Sequence, residues 1–406
     1  MWSVDFQPLG VAGIYIDRET GGGCNSQDAE GVRFMTLIII EFVIVLVGLA
    51  VTAVLFYRIP TLPVVNGNLS NYPTISVIIP ARNEEHNLPL LLADLSAQTL
   101  PNFEIICIDD ESEDSTGQIA LANGVKLITL KSKPEGWTGK SWACQNGADA
   151  AKGELLLFLD ADVRLGPDGI SKLLSAYLQQ GCTVSVQPYH KTEKIYEQLS
   201  MMFNLVQIAA NGTALPKPRN IGLYGPVILI SRQDYEKAGG HQRVKSSVVD
   251  DMALGSQLKK AGLNFSLYIG NSEVSFRMYA DGLRSLLQGW VKNMATGAAE
   301  TPAPVFMMVF LWVASLISVP LHIVIFSILM NWLWLGIYSV LYIVWVCLLA
   351  VLTRRIGKFH VWAVILYPIL MLVMLGVINV SAFKKLFGLK VKWKGRSIRT
   401  EEKTCE

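Results

Sequence analysis

Three strings carrying acids in this 406-residue chain each close an apolar run, β-branched in the first two. Pro80-Ala81-Arg82-Asn83-Glu84 follows Thr74–Ile79, Asp109-Asp110-Glu111-Ser112-Glu113-Asp114-Ser115-Thr116 closes Glu104–Asp109, and Asp160-Ala161-Asp162 closes Glu154–Asp160. Gathered at one edge, such carboxylates repel one another, and the cost of ionising them all rises. A divalent cation removes that cost. In Asp160-Ala161-Asp162 two carboxylates two residues apart can turn to one site where a strand ends. Mg²⁺ or Mn²⁺ takes one or two carboxylates plus phosphate oxygens, so the third partner would be a diphosphate. Asp110 is placed to accept hydrogen bonds from a nucleobase, while Asp114 or Ser115 caps the next helix. Gly136-Trp137-Thr138-Gly139-Lys140 sets a glycine turn and a lysine before a helix, which suits an anionic ligand. Asp250-Asp251 precedes Met252-Ala253-Leu254-Gly255. The pair either complements a helix dipole or supplies a general base tuned by burial to take a proton from an acceptor. His190 and His241 are candidate polar contacts that can equally be structural.

These clusters need a scaffold that brings strand ends together. A further apolar run, Val125–Leu130, third in chain order, makes four, and helical stretches at about 85–98, 115–122 and 141–151 alternate with the strands. That alternation predicts an α/β fold with a mainly parallel sheet covered on both faces. Ligands bind beyond the carboxyl ends of such strands. The missing G-x-G-x-x-G at the first turn argues against a dinucleotide fold. The catalytic unit is expected to span 74–275.

The rest of the chain belongs to a membrane. It is 51% hydrophobic and only 17% charged, against about 25% charge in soluble domains. From Val305 to Val351 there is no Asp, Glu, Lys or Arg. A net charge of +2 excludes the strongly basic footprint of a nucleic-acid binder. Six scattered cysteines without a C-x-x-C suit the reducing side of a membrane. Residues 1–34 form a polar leader or a start-site artefact, 35–57 a transmembrane helix and 58–73 a linker. Further spans are expected at 305–328 and 331–352, with 361–383 transmembrane or re-entrant, before a basic tail at 384–406. Leu283, Leu286, Leu287, Trp290, Val291 and Met294 recur at helical spacing, and within 276–304 they predict an amphipathic helix in the membrane interface. Ile195, Leu199, Met202, Phe203 and Val206 read either that way or as a helix packed on the sheet. The basic loop Arg354-Arg355-Ile356-Gly357-Lys358 should be cytoplasmic, which places the catalytic domain in the cytosol of a multi-pass cell-membrane protein. The tail conflicts with three full spans after the soluble domain: either one segment is re-entrant or the charge rule fails there.

Ser76–Glu84, Asp109–Thr116, Gly139–Lys140, Asp160–Asp162 and Asp250–Asp251, in this order, resemble the GT-A glycosyltransferases of family 2 over about Thr74–Thr296. Ser185-Val186-Gln187-Pro188-Tyr189-His190, Tyr224-Gly225-Pro226-Val227, Gly239-Gly240-His241, Phe276-Arg277-Met278-Tyr279 and Trp393-Lys394-Gly395-Arg396 are similar to a narrower group. Those are carotenoid-pathway membrane glycosyltransferases that place glucose from UDP-glucose on a carotenoid carboxylate of the 4,4'-diaponeurosporenoate type. The resemblance implies a UDP-sugar donor, a lipid or carotenoid acceptor, Mg²⁺ or Mn²⁺, and inversion at the anomeric carbon. It puts Pro80, Arg82, Glu84, Asp110, Lys140 and Asp160 at the nucleotide-sugar, Asp162 with Asp160 at the metal, and Asp251, beside Asp250, as base. The family's Q-x-x-R-W motif is not intact. Gln288-Gly289-Trp290-Val291-Lys292 is the nearest string, so Gln288, Trp290 and Lys292 join the two histidines as candidate contacts to acceptor or diphosphate. Transfer to another lipid (sterol, diacylglycerol, ceramide or polyprenyl phosphate) is the main alternative, and polysaccharide synthesis a lesser one.

Overall fold

A computed structural model describes residues 26–65, 72–387, 389, 391–393 and 396–398. Most of the leader, residues 66–71 of the linker and much of the tail lie outside these. The elements run in chain order α1 (Ser26–Leu55), β1 (Ile75–Ala81), α2 (Leu88–Ser96), β2 (Phe103–Asp110), α3 (Thr116–Ala122), β3 (Lys126–Leu130), α4 (Gly139–Ala150), β4 (Leu155–Leu159), β5 (Val163–Leu165), α5 (Gly169–Gln180), β6 (Thr183–Gln187) and β7 (Tyr189–Lys191). There follow α6 (Ser200–Asn211), β8 (Val227–Ser231), α7 (Arg232–Lys237), α8 (Asp250–Lys260), β9 (Phe265–Ile269), β10 (Val274–Phe276) and α9 (Leu283–Glu300). The apolar C-terminal part holds α10 (Ala303–Ile328), α11 (Trp332–Ile356), β11 (Gly357–Lys358), α12 (Val361–Ile365) and α13 (Tyr367–Leu386), then β12 (Val391–Trp393) and β13 (Arg396–Ile398).

Among the described residues the large sheet has the order β3-β2-β1-β4-β8-β6-β9. It is parallel from β3 to β4 and again between β6 and β9, and antiparallel where β8 inserts. Buried Ile75, Val77, Ile78, Ile79 and Leu155–Leu159 give the central strands the continuous apolar character of a sheet covered on both faces. Pro80 sits in a central strand, where its missing N–H would ordinarily break a ladder. Here β1 stays with β2 through Ala81 but leaves β4 after Ile78, so the proline falls where the two strands part. That parting opens the crevice in which ligands of such sheets bind.

Four described helices are long and apolar enough to cross a membrane: Met35–Leu55, Ala303–Ile328, Trp332–Ile356 and Tyr367–Leu386. The helix α1 begins at Ser26, about two and a half turns before the expected start of the first span at residue 35. Its later part packs on α10, where Gly48 meets Ser315 and Phe56 lies edge-on to Trp312, with ring centroids 5.3 Å apart. The linker then docks on the catalytic domain, with the Ile269 N–H donating to the Pro60 carbonyl at 2.8 Å.

The apolar face of α9 is covered by protein in part: Leu286, Trp290 and Val291 are buried, Trp290 stacks on Phe203 at 4.5 Å, and its Nε1 donates to Ser200 Oγ, while Leu283 is exposed and Leu287 and Met294 are half-buried. The partner helix α6 is buried on nearly all sides and packs against α9, α10, α11 and α13, so the 195–206 stretch joins the catalytic domain to the apolar helices.

The 361–383 stretch forms a hairpin. From α11 the chain enters β11, which pairs with β7 through Gly357 and His190, and the His360 N–H donates to Gln198 Oε1. Thereafter α12 runs back along α11 until the Ile365 carbonyl accepts the Tyr342 hydroxyl. At the turn Tyr367 stacks on Tyr342 and donates to the Leu316 carbonyl. Leu316 lies 13 residues into α10 and Tyr342 lies 14 residues before the end of α11. At 1.5 Å per residue the turn therefore reaches about 20 Å along both helices. From there α13 returns to α9, where Ser381 Oγ donates to the Val291 carbonyl at 2.6 Å, and β12 packs on the same helix.

Candidate active site

The acidic loops are built by one another. The Glu84 N–H donates to Thr116 Oγ1, the Glu85 N–H to Asp114, and the Glu113 N–H to Asn83 Oδ1. Asp114 also accepts the Thr116 N–H, so it rather than Ser115 caps α3. These ties consume the residues expected to begin the next helix, which is why α2 starts only at Leu88. Arg82 donates to the Asp110 carbonyl at 2.6 Å and faces Glu111 at 3.6 Å, pinning the end of β2. Asp110 itself is buried.

Across the crevice, β4 ends at Leu159 and turns, with the Val163 N–H bonded to the Asp160 carbonyl. The turn brings Asp160 and Asp162 both into the lining of one cavity. Thr138 caps α4 through the Ser141 N–H, and from that helix start Lys140 reaches Asp160 Oδ1 at 2.5 Å. Burial opposes a charge on Lys140, but Asp160 and Asp250 outweigh it and hold the ammonium well above the ordinary lysine range. Asp250 accepts the Ser141 hydroxyl at 3.3 Å. Asp251 accepts the Met252 N–H, and its other oxygen lies where a Cβ on Gly225 would sit. Burial first, and then the charge of Asp250, push the Asp251 carboxyl up to about 6.

One cavity of about 1010 Å³ joins these groups. Its polar part is lined by Pro80, Arg82, Glu84, Asp110, Lys140, Asp160, Asp162, Asp250 and Asp251. Lys292 also lines it, reaching in from α9, and burial lowers its ammonium's pKa. One end of the cavity is apolar: Phe306, Val309, Phe310, Val313, Ala314 and Ile317 of α10 line it together with Met374, Leu375 and Ile378 of α13. From Phe306 to Ile317 this slot follows about 16 Å of helix. Phe306 and Phe310 are 48% and 56% exposed, so its side is open along the outside of the helices.

Four candidates lie elsewhere. His190 is buried, with Nδ1 bonded to Asn204 and the ring packed on Phe276 and Phe359. His241 is buried against Phe158, with Nδ1 bonded to the Tyr235 hydroxyl. Burial lowers both imidazoles to about 4, which keeps them neutral. Trp290 is in the core, and Gln288 lies off the cavity wall. Conversely, Tyr279, Ser285 and Asn293 line the cavity without having stood out by type. Tyr279 adopts φ 61 beside Asp162; burial and that carboxylate raise its hydroxyl's pKa. A side chain at Gly289 would strike the Tyr279 ring. Glycine in a helix interior costs about 1 kcal/mol, so Gly289 was the readable trace of this close approach.

Two acidic side chains on one wall form a hard-oxygen donor set suited to Mg²⁺ or Mn²⁺. Among the described residues no group of three or more protein ligands gathers at a point. A donor diphosphate would have to complete the shell, as is usual for these ions.

Residues 76–238 match the family model described as glycosyl transferase family 2. A mannosyltransferase of Pyrobaculum calidifontis, solved with GDP-Man and Mn²⁺, superposes with a TM-score of 0.51 at 16% identity, over 85% of this chain and 99% of that one. Among sequence relatives, a protein of Staphylococcus haemolyticus is 34% identical over 332 residues, 80% of this chain and 88% of its own. One from Staphylococcus aureus is 32% identical over 363 residues, 87% and 96% of the two chains. The chain belongs to the family 2 glycosyltransferases, with a GT-A catalytic domain. The two staphylococcal relatives share the name 4,4'-diaponeurosporenoate glycosyltransferase.

Proposed function

We propose that the protein transfers a hexose, glucose from UDP-glucose, to the carboxylate of a membrane-dissolved carotenoid acid of the 4,4'-diaponeurosporenoate type. The observation that carries this reading is the continuity of one cavity from the acidic crevice to the apolar slot. A nucleotide-sugar fits the polar end and a long hydrocarbon the other, and the acceptor's head group then meets the sugar beside Asp251. The names of the staphylococcal relatives favour a carotenoid acid over a sterol, ceramide or polyprenyl phosphate.

In this mechanism Glu84 and Asp110 receive the nucleoside, and Arg82 holds the strand end that presents Asp110. Asp162, with Asp160, would hold Mg²⁺ or Mn²⁺. Such an ion supplies Lewis-acid neutralisation of the charge on the leaving diphosphate. Lys140 adds a fixed positive charge on the same wall while orienting Asp160. The acceptor oxygen attacks the anomeric carbon from the face opposite the diphosphate, held in line by the slot. The new C–O bond forms as the bond to the diphosphate breaks, the pair leaves with the diphosphate, and configuration inverts. An alcohol would surrender its proton to Asp251; a carboxylate has none to give.

The same reading fixes sidedness. The hairpin of α12 and α13 is re-entrant: its turn stops about 20 Å down, short of a 30 Å hydrocarbon core, and the chain returns to α9. The basic loop 354–358 and the tail then both lie with the catalytic domain on the cytosolic face, as positive charge favours. Mass spectrometry of lipid extracts from cells with and without the gene tests the function. A glycosylated carotenoid acid lost on deletion is the expected result; an unchanged carotenoid fraction with a different glycolipid missing would replace the acceptor.

A further inference from the structure

We propose that Gln187 holds the sugar being transferred, its side-chain carbonyl oxygen accepting a hydroxyl of the donor hexose. This role rests on the UDP-sugar reading of the site and goes beyond it in naming a contact to the sugar itself.

The position follows from the sheet. Strand β6 ends at Gln187 on the edge where β4 hands over to Asp160, because both run antiparallel to β8 between them. Val227 of β8 is opposite Leu159 on one side and Val186 on the other. The next row is therefore Asp160, Pro226 and Gln187, with the Asp160 N–H donating to the Pro226 carbonyl at 3.0 Å. At about 4.8 Å per strand, Gln187 stands about 10 Å across the sheet from Asp160, and β2, which ends in Asp110, is about 19 Å away. Asp251 lies between: one carboxyl oxygen is 2.5 Å from where a Cβ on Gly225 would sit, next to Pro226. Asp110, Asp160, Asp251 and Gln187 all line the one cavity. A nucleotide-sugar laid along this edge, its base at β2 and its diphosphate at β4, carries the hexose past Asp251 toward Gln187.

The amide of Gln187 is held in one orientation. Asn204 donates through Nδ2 to the Ser200 carbonyl at 3.0 Å and to His190 Nδ1 at 2.9 Å. A carbonyl only accepts, which fixes Nδ2 there and leaves Asn204 Oδ1 to face Gln187. Burial keeps His190 neutral, as an accepting Nδ1 requires. Gln187 must then present Nε2 to Asn204 Oδ1, at 3.3 Å. Asn204 and His190 are off the cavity wall, so Oε1 is the amide atom left for a ligand. Among the described residues Oε1 has no partner, although the side chain is buried. A buried acceptor left bare is costly and rare in native proteins. The backbone is fixed as well: the Gly270 N–H donates to the Gln187 carbonyl at 2.8 Å, and Ser185 Oγ bridges the Tyr224 N–H and carbonyl. An amide oxygen can only receive a hydrogen. A diphosphate and an ionised carboxylate offer none, whereas a hexose carries hydroxyls around its ring.

The test uses the full chain in lipid nanodiscs with Mn²⁺, and calorimetry compares UDP, UDP-glucose and the monodeoxy analogues of UDP-glucose. Wild type should bind one analogue about 5- to 100-fold more weakly than UDP-glucose, the usual worth of a buried acceptor losing its donor. Gln187→Met, similar in length and shape, should weaken UDP-glucose by a similar factor and leave UDP unchanged. In that variant the same analogue should bind no worse than UDP-glucose, because the two losses are one contact. Unaltered affinity of Gln187→Met for UDP-glucose would overturn the inference, as would a deoxy penalty of equal size in both proteins. Parallel weakening of UDP and UDP-glucose would overturn it too, because it marks a structural role. Wild type indifferent to every analogue would do the same without any variant having to fold. Wild type that binds neither UDP nor UDP-glucose would instead remove the donor reading itself, and this contact with it.

Discussion

Replacing Asp251 by Asn should have opposite effects on activity and on stability. Burial, and then the charge of Asp250, push the half-exposed Asp251 carboxyl up to about 6 from an ordinary 3.8. At 1.36 kcal/mol per pH unit that gap is about 3 kcal/mol, and partial exposure together with sharing of charge with Asp250 reduces it to about 1–3 kcal/mol. The sign follows from linkage. A carboxyl whose folded value is raised is fully tolerated below pH 4 and penalises the fold as pH rises through 6. The Asn variant keeps the oxygen that accepts the Met252 N–H and removes the penalty. Its unfolding midpoint in detergent should therefore exceed wild type at pH 8 and match it at pH 4. In turnover assays, transfer to an alcohol should fall by about 10²–10⁴, the usual worth of a general base. Transfer to a carboxylic acid should fall by less than about tenfold. Equal midpoints at pH 8, or an undiminished rate with the alcohol, would refute the role given to Asp251.

Asp162→Asn should end turnover with both acceptor types, and chelation of divalent ions should do the same to wild type until Mn²⁺ is restored; full activity in that variant would remove the metal reading. Ile317→Trp, at the deep end of the slot, should raise acceptor KM at least tenfold while UDP-glucose hydrolysis persists, and a donor defect would show that the slot is not the acceptor's. A reporter fused after Glu406 should read the same side of the membrane as one inserted in the catalytic domain; opposite sides would make α13 a full span.

The strands and their acidic ends were legible because apolar runs and the residues closing them are local properties. That Asp160 and Asp162 both line the cavity followed from a strand end and a spacing of two. What escaped reading depended on neighbours distant in sequence. Trp290 has the profile of an interfacial residue, and only the arrival of Phe203 and Ser200 makes it core. His190 and His241 look functional by type, yet Asn204 and Tyr235 make them neutral scaffold. The α12–α13 stretch is as apolar as a span, and its turn is betrayed only by Tyr342 and Leu316. The unfavourable charge of the tail was the one advance sign of that hairpin.

Phe306 and Phe310 form an exposed flank of the cavity, and under the proposed function it would separate the routes of the two substrates. Dragging a hydrocarbon through water costs about 0.8 kcal/mol per methylene, so ten such carbons would add about 8 kcal/mol. A sideways doorway spares the acceptor that journey. Under that function, donor molecules would diffuse in three dimensions, whereas the greasy partner would arrive within a leaflet and depart into it wearing its sugar at the headgroup level. Saturation should consequently track mole fraction in the bilayer, and diluting the vesicles with inert phospholipid should slow the enzyme even when bulk concentrations stay fixed.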